Sequence, residues 1–176
     1  MTPLSYSIAI ATCAVLIISV FTDVRHGKIY NAVTVPFAIL GIILNILDRG
    51  WTGVLFSLGG IATGLAMFFV SAFLGRILGA GDCKLLAAVG SFLGAKLLIW
   101  VILYGAVAGG LIALAIALWR GVLRQSVSAV WRAVYMRFFM KLPMDITTAH
   151  EKTRLPYAIA ICAGGLMVMW QFMLGS

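Results

Sequence analysis

"LLAAVGSFLGAKLLIWVILYGAVAGGLIALAIALW", Leu85 to Trp119, decides how many times this chain crosses a bilayer. Read as one helix, it strands Lys96 in lipid, at a cost of roughly 2.5–3.5 kcal/mol on insertion scales. Read as two spans, near 80–95 and 97–119, it leaves Lys96 in the turn between them. Other spans fall near 4–22, 32–47, 53–75 and 155–174. With two spans here, the loops 23–31, 76–84 and 120–154 share one side. They hold Arg25, Lys28, Arg76, Lys84, Arg120, Arg124, Arg132, Arg137, Lys141, Lys152 and Arg154, so that only Arg49 and Lys96 fall opposite. With one span, the large loop changes sides and the split becomes four against eight. The positive-inside rule therefore selects six spans, with the three loops cytoplasmic and both termini outside the cytoplasm.

Composition agrees with a membrane domain. Of 176 residues, 63% are hydrophobic and 10% charged, more apolar surface than a soluble domain of this size can hide. Uncharged runs near 20 residues match the length of membrane helices. The expected fold is a single all-α integral membrane domain, residues 1–176, built as a bundle of six transmembrane helices. The fourth span, of roughly 16 residues or about 24 Å, is shorter than the ~30 Å hydrocarbon core, which local thinning can accommodate. The net charge of +8 follows from the loop pattern, so no nucleic-acid partner is expected. Cys13, Cys83 and Cys162 form no Cys-x-x-Cys pair, and no metal site or cofactor is expected. The N-terminal stretch lacks a basic n-region and reads as a retained first span. Between the fifth and sixth helices, Leu123, Val127, Val130, Trp131, Val134, Tyr135 and Phe138 follow helical spacing, with Arg124, Ser128 and Arg132 on another face. That pattern predicts a cytoplasmic amphipathic helix at the headgroups.

Five acidic residues exist. Asp48 sits beside Arg49 in a turn on the outer side, and Asp145 and Glu151 lie in the polar loop. Asp23 ends the first span and Asp82 begins the fourth, both on the cytoplasmic side. Two carboxyls sharing a partly desolvated site hold one proton between them, the arrangement that activates water against a peptide carbonyl. Two independent helix-end charges are the competing account. Gly79 and Gly81 precede Asp82 and can open the mouth of the helix to an extended chain. Capping of a helix N-terminus is the plainer role for Asp82.

These residues resemble a known family. "GAGDCK", Gly79 to Lys84, is similar to the Gly-x-Gly-Asp-x-Lys signature of type IV prepilin peptidases, which are membrane aspartic proteases. "TDVRHGKIYN", Thr22 to Asn31, resembles the segment of that family that carries the first aspartate, with Tyr30 where proline is usual. "RLPYAIAICAGG", Arg154 to Gly165, resembles the Pro-Tyr entry to its last span. The resemblance implies Asp23 and Asp82 as the catalytic pair, with Gly79, Gly81, Lys84, Asn31, Pro156 and Tyr157 in support. Asn31 as a helix N-cap, Pro156 as a first-turn proline and Tyr157 as an interfacial anchor are the structural alternatives. The chain begins directly with a span and lacks the paired cysteines of long family members. It resembles the short form associated with tight-adherence (Flp-type) pili, which argues against N-methyltransferase activity.

The implied activity is cleavage of prepilin or pseudopilin leaders at the cytoplasmic face of a bacterial inner membrane. A small proton- or cation-coupled transporter or channel is the alternative, followed by a non-catalytic scaffold for pilus assembly.

Overall fold

The computed structural model describes residues 3–73, 78–119 and 157–174. Pro156 and the expected amphipathic segment in 120–154 lie outside the described residues. The described residues form these helices: α1 (Pro3–His26), α2 (Asn31–Arg49), α3 (Trp51–Phe73), α4 (Ala80–Trp119) and α5 (Tyr157–Leu174). The first four are long and apolar enough to cross a membrane, and the apolar stretch Tyr157–Gln171 of α5 is shorter. The chain divides into two compact units, residues 1–109 with 156–176, and residues 110–155. Of the second unit, only the tail of α4 is described.

In the first unit small polar residues lie inside beside the apolar core, and many large apolar side chains face outward. Thr12, Ser19, Thr34, Asn45, Ser57, Ser71 and Ser91 are buried, while Ile10, Leu47, Phe69 and Phe73 are exposed. Lipid is as apolar as leucine, so nothing drives large side chains inward. Small and polar residues collect where helices meet. That segregation fits a bilayer-embedded bundle. Residues 85–94 of α4 are buried without exception, which makes this arm the central helix. Its Leu85, Leu86, Val89 and Phe92 pack with Val15 and Leu16 of α1 and with Ala158, Ile161 and Val168 of α5.

Helix α4 is broken at Gly94, whose φ of 73° and ψ of 173° leave helical space. The chain bends sharply at this break. Eight residues of continuous helix rise about 12 Å, yet a Cβ on Gly90 would lie only 2.8 Å from Leu98 Cδ2. Lys96 is exposed just past the bend. Sequence reading put this turn between residues 95 and 97; the structure puts it at Gly94, where a left-handed φ costs glycine nothing.

Asn45 on α2 meets carbonyls of the turn before the break. Its Nδ2 lies 3.0 Å from the carbonyl oxygens of Gly41 and Ser91 and 3.2 Å from that of Phe92. Phe56 of α3 covers Gly94, and Arg49 stacks on Phe56 with its guanidinium carbon 4.3 Å from the ring centroid. Further along, α3 and the central arm meet backbone to backbone. A Cβ on Gly60 would run into the Gly90 carbonyl, and one on Gly64 into the backbone of Ala87.

Candidate active site

Asp23 lies one turn from the end of α1. The helix stops at Gly27, whose φ of 63° is left-handed and whose N–H donates to the Asp23 carbonyl at 2.7 Å. This is a single-bond C-terminal cap. The chain then crosses to α2 in four residues, past Tyr30, whose ring meets His26 edge-on at 5.9 Å.

Asp82 is the third residue of α4. Gly79 caps that helix: its carbonyl accepts the Cys83 N–H at 3.2 Å, and its own N–H donates to Asp82 Oδ2 at 3.0 Å. The second bond is the carboxylate half of a capping box, with glycine in place of the usual Ser or Thr. A Cβ on Gly79 would sit 3.1 Å from Asp82 Oδ2, so the missing side chain leaves room for the carboxyl. The capping role weighed from sequence is thus present, and it occupies one of the two carboxyl oxygens.

Asp23 and Asp82 are both half-buried, and their carboxyl groups come close enough to interact electrostatically. Tyr157, the first residue of α5, also lies within reach of the Asp82 charge. The two helix ends act oppositely. Backbone N–H groups at the start of α4 favour a carboxylate, whereas exposed carbonyls at the end of α1 oppose one.

The remaining candidates divide into two groups. Lys84 Nζ donates to Asn31 Oδ1 at 2.9 Å, joining the start of α4 to the start of α2. Asn31 is not the N-cap of α2; Tyr30 holds that position with extended angles and no side-chain bond. Gly81 admits Ile29, since a Cβ there would lie 3.2 Å from Ile29 Cβ. Asp23, Asp82, Gly79, Gly81, Lys84, Asn31 and Tyr157 therefore gather at one end of the first unit. Two residues that sequence reading did not single out join them. Ile29 packs over Gly81, and Ser71 near the end of α3 bonds both backbone polar groups of Leu78. A lone serine in an apolar run carries no sequence signal of such a contact. Among the described residues, no three His, Cys, Asp or Glu side chains cluster to hold a metal.

Residues 10–114 match the type IV leader peptidase family. Two proteins described as prepilin leader peptidase/N-methyltransferase, from Burkholderia pseudomallei strains 1026b and K96243, are each 31% identical over 122 residues. The aligned stretch is 66% of this chain and 39% of each of those curated relatives. No solved structure matches. The family match covers more than half of the chain and contains Asp23 and the whole Gly79–Lys84 turn, and on that ground the chain belongs to the type IV leader peptidase family.

Proposed function

We propose that this protein is a membrane aspartic endopeptidase that removes the N-terminal leader of prepilin or pseudopilin precursors at the cytoplasmic face of a bacterial inner membrane. The observation that carries the reading is the approach of Asp23 and Asp82 from separate helices, in a chain of the leader peptidase family. One carboxyl, ionised, takes a proton from water as the water attacks the scissile carbonyl. The other, protonated, hydrogen-bonds that carbonyl oxygen as charge develops on it. Collapse of the adduct breaks the C–N bond, and a proton passes to the leaving amine. No cofactor enters this scheme.

Topology supplies the substrate's position. In this reading the chain crosses the bilayer six times, with α4 making two passes around Gly94 and residues 120–154 on the cytoplasmic side. The sharp bend at Gly94 and the exposure of Lys96 beside it support that count. The apolar helix of the precursor stays in the bilayer and presents its leader junction to the two acids, which contributes proximity. The enzyme's cytoplasmic loops are basic, as the positive-inside rule requires, so recognition of a basic leader rests on local acidic and backbone contacts.

The test is the mass of a co-expressed prepilin. Wild-type protein shortens it by the leader. Asp23→Asn and Asp82→Asn each leave it full length, while both variants still fractionate with membranes. Complete processing by both single variants refutes the dyad.

A further inference from the structure

Ser71 has the geometry of a support for the Asp82 turn. It lies in the last turn of α3, two residues before Phe73, and is 3% exposed. A helical serine ordinarily returns its proton to a carbonyl one turn back. Here the hydroxyl instead donates to the Leu78 carbonyl at 3.1 Å and accepts the Leu78 N–H at 2.7 Å. One side chain thus satisfies both backbone polar groups of the residue before Gly79.

The Leu78 carbonyl and the Gly79 N–H belong to the same peptide unit, which is planar and trans, so they point in opposite directions. Ser71 holds one edge of that plane. The other edge donates to Asp82 Oδ2 at 3.0 Å. Rotating the plane would move the N–H off the carboxyl, and Gly79, on one side of it, offers little backbone resistance to rotation. A hydroxyl donating to the carbonyl also polarises the amide and strengthens the N–H as a donor. We propose that Ser71 is a positioning residue for the leader-cleavage reaction. Through the Leu78–Gly79 peptide it fixes the orientation of the Asp82 carboxyl relative to Asp23. This rests on the reading of Asp82 as catalytic.

Purified Ser71→Ala protein, assayed on a prepilin in lipid–detergent micelles, is expected to lose roughly tenfold to a hundredfold in kcat. KM is expected to stay within about twofold, because Ser71 acts on the Asp82 turn and is itself buried. Hydrogen exchange at the Leu78 and Gly79 amides should quicken by about tenfold as the hold is released. Ser71→Thr, which keeps the hydroxyl, is expected to recover most of the lost kcat. A merely structural serine would lower the yield of folded protein and leave kcat per folded molecule unchanged, and that result overturns the proposal. So does Ser71→Thr being no faster than Ser71→Ala while its Leu78 amide stays protected. Asp82→Ala in the same assay separates the two levels. If it is inactive while Ser71→Ala is fully active, only this inference fails. If Asp82→Ala cleaves normally, the catalytic reading fails, and Ser71 has no catalytic carboxyl left to position.

Discussion

Asn45 offers the sharpest test of how the bundle is held. Its side chain is fully buried, and its amide is a hydrogen-bond donor for the Ser91 and Phe92 carbonyls just before the break at Gly94. Replacing it with leucine keeps the branched shape and removes the donor. Two buried carbonyls then lose their partner, at about 1–3 kcal/mol each. One compensation works the other way: Asn45 Oδ1 is itself buried without a partner, and leucine relieves that cost, again about 1–3 kcal/mol. The net expectation is a loss of about 1–3 kcal/mol for Asn45→Leu. Hydrogen bonds between membrane helices average only about 0.6 kcal/mol, because separated helices find other partners. This case should exceed that average. Once the helices separate, Gly94 can return to helical angles, so both carbonyls regain their own N–H groups. The comparison state is then satisfied and the whole desolvation cost falls on the folded bundle. Reversible unfolding in mixed micelles, titrated with a denaturing detergent, measures the difference. An Asn45→Leu protein as stable as wild type, or more stable, refutes the idea that this amide closes the broken helix.

Gly60→Val should prevent close approach of α3 to the central arm and cost several kcal/mol, roughly 3 or more, because the clash is with backbone rather than a movable side chain; thermal unfolding in detergent reads it, and a loss under about 1 kcal/mol contradicts the contact. Gly27→Ala places a Cβ at a φ of 63° and should destabilise by about 1–2 kcal/mol in the same measurement. A Lys84→Ala and Asn31→Ala double-mutant cycle should give a coupling of about 0.5–1 kcal/mol, modest because the bond is exposed; additive effects would show that the contact contributes nothing. A single cysteine at Lys96 in a cysteine-free background should react with a membrane-impermeant maleimide added outside intact inner-membrane spheroplasts. Protection there, with labelling only after lysis, would contradict the six-crossing topology.

The helices themselves were legible because lipid makes the hydrophobic signal nearly continuous, and Arg49 and Gly50 or Gly27 punctuate it. The turn near Lys96 was legible from charge alone, although the residue that makes it is Gly94, two positions earlier. What escaped was lateral. Asn31 reads locally as a cap, yet its amide reaches Lys84 on another helix while Tyr30 takes the cap position. Asn45 and Ser71 are small polar interruptions in apolar runs; only the packed bundle shows which carbonyls or amides lie across from them. The proximity of Asp23 and Asp82 was likewise beyond sequence spacing, because their separation is set by how α1 and α4 pack and not by any local pattern.

The joint between α3 and the central arm, where Gly60 faces Gly90 and Gly64 faces Ala87, contains almost no side-chain atoms. A contact of that kind has no rotamers to exchange and cannot be repaired by repacking neighbours. Chimeras that import either helix alone from a relative should therefore assemble poorly, whereas grafting the two as a matched pair should preserve the scaffold. For protein engineers, that pair is the smallest transplantable unit of this bundle.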